Sequence, residues 1–272
     1  MKKTVHLKTP QEALLIQESA SIVEASIALA AQHIKIGVTT LQLNAIIDEF
    51  IASQQAKPSF KGYGANKYPF AACISVNNAV VHGFPNDIPL KDGDILSIDV
   101  GAYKNGFHGD SAYTFAVGNV APEVLQLMRV TKESLYAGIQ KAIANNRLGD
   151  IGYAIEQHCK KPYNYGVVDE LVGHGLGRNL HEEPQVPNKG RRGEGKKMQE
   201  GLVIAIEPMI NLGTKNVTTA DDGWTILTAD GKQSAHYEHN VYIQKNQAKI
   251  LSSFIKIEAV EIASEHLNAN YL

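Results

Sequence analysis

Residues 94–117 read DILSIDVGAYKNGFHGDSAYTFAV, from Asp94 to Val117. Asn105-Gly106 in the middle of this stretch is a strong signal for a two-residue hairpin, because both central positions of a type I′ turn need positive φ. With the turn there, residue 101 lies opposite 110 and residue 99 opposite 112. Side chains alternate faces along a strand, so Asp99 and Asp110 point to the same side as diagonal neighbours. Asp99 is also embedded in the apolar run Ile95, Leu96, Ile98, Val100. Buried like charges this close must share a proton or hold a cation. The hairpin alone leaves a second reading open, in which one aspartate caps a turn and the other faces water.

Composition narrows the classes. The 272 residues suffice for one large domain or two small ones, and 26 basic against 28 acidic residues predict no affinity for nucleic acid or membrane surfaces. The start MKKTVHLKTPQEA has no following apolar stretch of the signal-peptide kind, and no window is expected to reach the length of a membrane span. Cys73 and Cys159 are too few for a disulfide scaffold and fit a reducing cytoplasm; neither belongs to a CxxC pair, so no thiolate zinc site is expected.

Outward from the hairpin, Thr9-Pro10-Gln11-Glu12 has the form of a capping box and opens a helix expected to stop near Gly37. A second helix follows from Thr39 or Thr40, with Leu43, Ile46, Ile47, Phe50 and Ile51 on one face. Phe60 to Pro69 reads as a loop leading into a strand from Ala71 to Val76. After the hairpin the order of helices then strands repeats. Ala121-Pro122-Glu123 opens a long helix, Asp150 to Cys159 forms another, and Val167–Val172, Leu202–Ile206, Trp224–Leu227 and Ala235–Ile243 are strand-like. The layout suggests two similar α+β halves around a common sheet. Pro187 to Lys197 reads as a mobile, solvated loop rather than an anion site.

The second half adds Gly173-His174-Gly175, Ile206-Glu207-Pro208 and Tyr237-Glu238-His239, each placing one His or Glu beside residues expected to be buried. Singly, each has a dull explanation as a hydrogen-bonded core histidine or a solvent-facing glutamate. The glycines flanking His174 permit close backbone approach. With Asp99 and Asp110 the set comprises four carboxylates and one imidazole. Four buried negative charges are untenable without compensation, and two divalent cations neutralise them as a formal sum. Dinuclear sites hold metals about 3.5 to 4 Å apart. Oxygen-dominated ligation with one nitrogen suits Mn, Fe, Co or Zn and does not choose among them.

The ordered set SIDV (97–100), FHGDSAYTF (107–115), GHGLG (173–177), LHEEPQVPN (180–188), IEPM (206–209), DGWT (222–225) and YEH (237–239) closely resembles type I methionine aminopeptidases. The likeness runs from about Thr9 to Ile243 and includes FKGYG, CISVN and VVHGFP. It implies an α+β pita-bread (creatinase/aminopeptidase-like) fold, with two pseudo-symmetric helix-plus-strand halves around a central antiparallel sheet. It also implies one catalytic domain over 1–272, with halves at about 9–118 and 121–245.

The resemblance further implies roles. Asp99 chelates one of two divalent ions, Asp110 and Glu238 bridge both, and His174 binds the second with Glu207. A metal-bound hydroxide attacks the scissile carbonyl, with Glu207 as general base. One metal receives the substrate's free amine. His82 and His181 match cleft histidines that bond the peptide and the tetrahedral oxyanion. Tyr63, Tyr68, Cys73 and Trp224 are the implied walls of a small apolar cup, with packing suited to a thioether. The implied substrates are peptides and nascent chains with N-terminal Met and a small second residue; transient ribosome association, a monomeric state and a cytoplasmic location are expected alongside.

His108 resembles a family residue and receives no role. His158-Cys159, on paper a thiol dyad, occupies adjacent helical positions that cannot face each other, so the pair reads as packing or surface. Leu180 stands where many relatives carry an aromatic residue. Asn78, Ala65-Asn66-Lys67 and Glu200-Gly201 are further departures, and none touches the five ligands. An X-Pro aminopeptidase usually carries a large preceding domain, whereas the first helix here begins by Thr9. A type II enzyme inserts a helical subdomain near the ligands, and the short span between His174 and Glu207 leaves little room for it. A non-catalytic ribosome- or nucleic-acid-binding member of the fold would be marked by lost ligands and a basic surface, and neither mark is present.

Overall fold

In the computed structural model, which describes residues 4–272, Asn105 and Gly106 take φ of +51° and +86°. The turn they form sets the register between strands Ile95–Lys104 and Phe107–Ala116: Gly101 pairs with Asp110 and Asp99 with Ala112. Ala72–Val76 adds to the other edge of Ile95–Lys104, opposing Cys73 to Asp99.

Helix α1, Pro10–Ala31, carries the expected capping box between Thr9 and Glu12. It ends before Gly37, whose N–H bonds Leu90 O, remote along the chain, rather than a carbonyl of the helix. By length and apolarity α1 could cross a membrane, contrary to the reading of the bare sequence. Its buried positions, Ile16, Ala20, Val23, Ile27 and Ala30 among them, explain the composition: this is a core helix packed on the hairpin. Gly109 lies so close to α1 that a Cβ would sit 2.2 Å from Ala20 N. Helix α2, Thr40–Ser53, begins with a second capping box, Thr39 with Gln42.

Two more helices follow the hairpin and pack on each other, α3 at Pro122–Ile139 and α4 at Leu148–Tyr163. The strands after them are shorter than their apolar runs. Of the 167–172 run only Val167 lies in a strand, Gly166–Val167, and Ala235–Ile243 is broken into Ser234–His236 and His239–Ile243. Trp224 stays in a turn and pairing starts at Ile226. His239–Ile243 runs antiparallel to Val203–Ile206, which in turn pairs with Gly173–Gly175.

The ladders are divided among several sheets, and the two largest meet behind the acidic residues, where Glu238 N–H bonds Ala112 O at 3.0 Å and Ser111 Oγ donates to Glu238 O at 2.7 Å. The 187–197 loop is not a free solvated strap. Gly149 N–H bonds Glu194 O and Gly193 N–H bonds Asp150 Oδ1, tying the loop to the start of α4. A last helix, α5 at Ile255–Ala263, lies against α1.

Candidate metal centre and cleft

The five candidate ligands arrive on five separate pieces of chain. Asp99 and Asp110 come from the two hairpin strands, on one face as the register requires. His174 is the middle residue of Gly173–Gly175. Glu207 follows directly on Val203–Ile206, and Glu238 directly precedes His239–Ile243. The glycines beside His174 are needed for close approach: a Cβ on Gly173 would sit 2.3 Å from Ala205 O, and one on Gly175 2.4 Å from Glu183 O. The break at Tyr237-Glu238 has a tertiary cause, since Glu238 N–H bonds Ala112 O of the hairpin.

His174 Nε2 lies 3.5 Å from Glu207 Oε1 and 4.0 Å from Asp110 Oδ2. Asp110, His174 and Glu238 offer ligand atoms within 4.8 Å of one another. Burial drives every carboxylate upward. Asp99 is pushed to about 8 by desolvation, and Asp110, Glu207 and Glu238 go well above the usual range, first by desolvation and then by the charge of neighbouring carboxylates. His174 is driven down to about 4, chiefly by burial. Asp99 Oδ1, Asp110 Oδ1 and Glu238 Oε1 are buried without a hydrogen-bond partner. Buried carboxylate oxygens left without donors fit cation ligands, and a mostly oxygen set with one imidazole fits a divalent first-row metal.

The five residues line one face of a cavity of about 320 Å³. Tyr63, Tyr68, Cys73, His82, Leu180, His181 and Trp224 line the rest, together with Phe60, Val81, Met209 and Gln185, which sequence reasoning had not singled out. Tyr68 is fully buried, its hydroxyl donating to Gly83 O at 2.9 Å, and its ring meets Phe84 and Trp224 edge-on at 5.2 and 5.3 Å. Asp222 Oδ1 accepts from Trp224 N at 2.8 Å and from Thr225 N at 2.7 Å, the turn that presents the indole. Leu180 is buried at the pocket wall where an aromatic side chain would be larger.

His181 Nδ1 bonds the Tyr63 hydroxyl and its ring meets that of His174 edge-on at 4.1 Å. His181 is exposed at the cavity, and desolvation, then His174 and His82, lower it to about 3; in the neutral form one ring nitrogen can accept while the other donates. His82 is likewise lowered by burial and sits edge-on to Trp224 at 6.4 Å. His108 bonds Ser59 Oγ at 2.8 Å through Nδ1 and is not among the cavity residues. His158 pairs with Glu133 at the surface while Cys159 is buried, so no thiol dyad exists there.

One residue escaped the sequence reading. His236 is buried, with Nε2 unpartnered and 3.9 Å from Glu207 Oε2. The sequence held little signal for it, because its strand ends at His236 and Glu207 follows directly on a separate strand.

The chain matches the model of metallopeptidase family M24 over residues 15–245. It is 49% identical to a methionine aminopeptidase of Clostridium perfringens, over 90% of this chain and 98% of that one. It is 45% identical to methionine aminopeptidase 1 of Bacillus subtilis, over 90% of this chain and 98% of that one. Among solved structures, a methionine aminopeptidase from Rickettsia prowazekii superposes with a TM-score of 0.89 at 36% identity, covering 92% of this chain and all (100%) of that one. A prolidase from Pyrococcus furiosus shares the fold alone, with a TM-score of 0.73 at 22% identity over 91% of this chain and 65% of that one.

Proposed function

The chain belongs to metallopeptidase family M24, and on that premise we propose that its cleft removes N-terminal methionine from peptides and nascent chains. The activity is that of a methionine aminopeptidase, a metal-dependent hydrolase acting on the first peptide bond. The observation that carries the reading is the set of partnerless carboxylate oxygens of Asp99, Asp110 and Glu238, opposed to His174 and Glu207 at one end of an aromatic cup.

Asp99, Asp110, His174, Glu207 and Glu238 would hold two divalent ions of the Mn, Fe, Co or Zn kind. Asp110, His174 and Glu238, whose ligand atoms lie within 4.8 Å of one another, would hold an ion jointly, and the family resemblance assigns Asp110 and Glu238 as the residues the two ions would share. Bound cations supply charge neutralisation and lower the pKa of water toward neutrality. Glu207, at the cavity surface, takes the proton of the attacking water on its carboxylate and returns it to the leaving amine. Neutral His181, oriented by Tyr63, and His82, which lines the same cavity, donate to the peptide and to the developing oxyanion. Tyr68, Cys73 and Trp224 pack the methionine side chain, and Leu180 widens that wall.

We assign the whole chain to one catalytic domain whose halves, about 9–118 and 121–245, each contribute ligands. A cytoplasmic monomer that visits the ribosome transiently fits this role. The test is hydrolysis of Met-Ala-Ser against Leu-Ala-Ser and Ala-Pro-Ser after metal removal and return of Mn, Fe or Co. Metal-dependent preference for Met-Ala-Ser is expected. Preference for Ala-Pro-Ser, or activity indifferent to metal, would overturn the reading.

A further inference from the structure

The family match ends at residue 245, yet the chain after it is bonded to the strands that carry two of the ligands. Ser252 Oγ accepts the Asn240 N–H at 3.0 Å and shares a hydrogen bond of 2.8 Å with His239 Nδ1. Leu251 N–H closes the same loop on Asn240 O at 2.8 Å, and the Phe254 ring stacks on His239 at 3.9 Å with an interplanar angle of 25°. Asn240 in turn reaches across to the hairpin, where its Oδ1 accepts the Asp110 N–H at 2.8 Å.

A backbone N–H can only donate, so the orientation of the Asn240 amide is settled by Asp110. Its Nδ2 is buried with no partner, so the side chain is held for that one acceptor. His239 and Asn240 also follow directly on Glu238. A single hydroxyl from the C-terminal segment thus anchors the backbone just after one acidic ligand and, through Asn240, the backbone of the other.

We propose that Ser252 is a positioning residue for the Asp110/Glu238 carboxylate pair, so that the segment beyond the family match sets how tightly the centre holds its cation. The proposal rests on the metal-centre reading above. Outer-shell hydrogen bonds orient ligands, and their loss typically costs about 10- to 100-fold in metal affinity. Ser252 lies one bond farther out, which places its effect at the low end, about tenfold.

The experiment is calorimetric titration of Mn(II) into the metal-free full chain, without peptide, for the unmodified protein, Ser252→Ala, Ser252→Thr and Tyr271→Phe. Co(II) absorption spectra are taken on the same set. Ser252→Ala is expected to weaken Mn(II) binding about tenfold and to shift the Co(II) bands. Ser252→Thr, which keeps the hydroxyl, restores both. Tyr271→Phe lies in the same segment but bonds Thr114 O and Glu261 rather than this loop, and it retains full Mn(II) affinity while losing thermal stability. Equal Mn(II) affinity in Ser252→Ala and the unmodified protein overturns the proposal, as does an equal loss in Tyr271→Phe. Should Ser252→Ala not fold, Ser252→Cys, which replaces the hydroxyl by a weaker sulfur acceptor of similar shape, takes its place, and unchanged Mn(II) affinity there overturns the proposal equally. Failure of the functional reading is seen separately, as absence of Mn(II)-dependent Met-Ala-Ser hydrolysis by the unmodified protein.

Discussion

The strand Phe107–Ala116 carries buried acid chemistry on two sides, and the two sides differ in whether the carboxylates have donors. Asp110, with Asp99 and Glu238 beside it, keeps buried oxygens with no hydrogen-bond partner. On the far side Glu261 of α5 is also fully buried, yet both its oxygens are engaged. Tyr113 OH donates to Oε2 at 2.7 Å, and Tyr271 OH lies 2.9 and 3.1 Å from Oε1 and Oε2. Desolvation raises both groups, but Glu261 only to about 7, because the two hydroxyls work against it. Burial of a carboxylate is therefore compatible with a purely structural role when hydroxyls saturate it. Burial without donors, repeated around one cavity, is what singles out a cation site.

The comparison breaks most sharply at Asp110. Asp110→Asn keeps the shape and removes the charge, and the loss of Met-Ala-Ser turnover is expected to exceed about 100-fold, beyond the usual cost of an outer-shell change. Bound metal measured by elemental analysis should fall with it. Full turnover with two equivalents of metal would show that the two faces do not differ as described.

Cation binding itself provides the next contrast. Mn(II) at about 100 times its dissociation constant should stabilise the protein against urea by about 3 kcal/mol. The Asp110→Asn protein should gain far less, while Glu261→Gln should gain as much as the unmodified protein.

The far side titrates in the opposite sense to an ordinary ion-paired acid. Glu261 has a folded pKa of about 7 against 4.5 for the free group, so between those values the folded state holds a proton that the unfolded chain has released. Its contribution to stability is thus full below about pH 4.5, falls as pH rises toward 7, and is constant above that. The decrease amounts to about 3 kcal/mol at most. In Glu261→Gln that slope should vanish, so urea midpoints of the two proteins should diverge between pH 5 and 8, with the unmodified protein losing ground. Parallel curves would remove Glu261 from the account.

The smallest effect is expected at Tyr271. Tyr271→Phe deletes the one hydroxyl that lies within hydrogen-bond distance of both Glu261 and Thr114 O and should cost about 1–3 kcal/mol of stability, read from the urea midpoint, with Met-Ala-Ser turnover unchanged.

Much of the near side is legible in the sequence. Asn105-Gly106 specified the turn, and strand alternation then placed Asp99 and Asp110 together, as the pairing of Gly101 with Asp110 bears out. The capping boxes, the α2 face and the glycine-flanked His174 are equally local features. The far side left no such trace. Tyr113, Glu261 and Tyr271 are separated by up to 158 residues, and nothing in the spacing around any of them announces the others. His236 went unread for a related reason, since its neighbour Glu207 is brought close only by the packing of separate strands.

What the sequence determined by itself is what short-range geometry controls: helix starts, one hairpin and its register, and which side chains share a strand face. The likeness of ordered motifs then supplied the family and the five candidate ligand positions. The tertiary structure decided where an apolar run stops being a strand, as at Tyr237-Glu238, where the Glu238 N–H bonds Ala112 O of the hairpin. It also decided which buried carboxylates meet hydroxyl donors and which meet only one another. That distinction is invisible in sequence because solvation and long-range pairing depend on elements remote along the chain, and only folding brings those elements to the same strand.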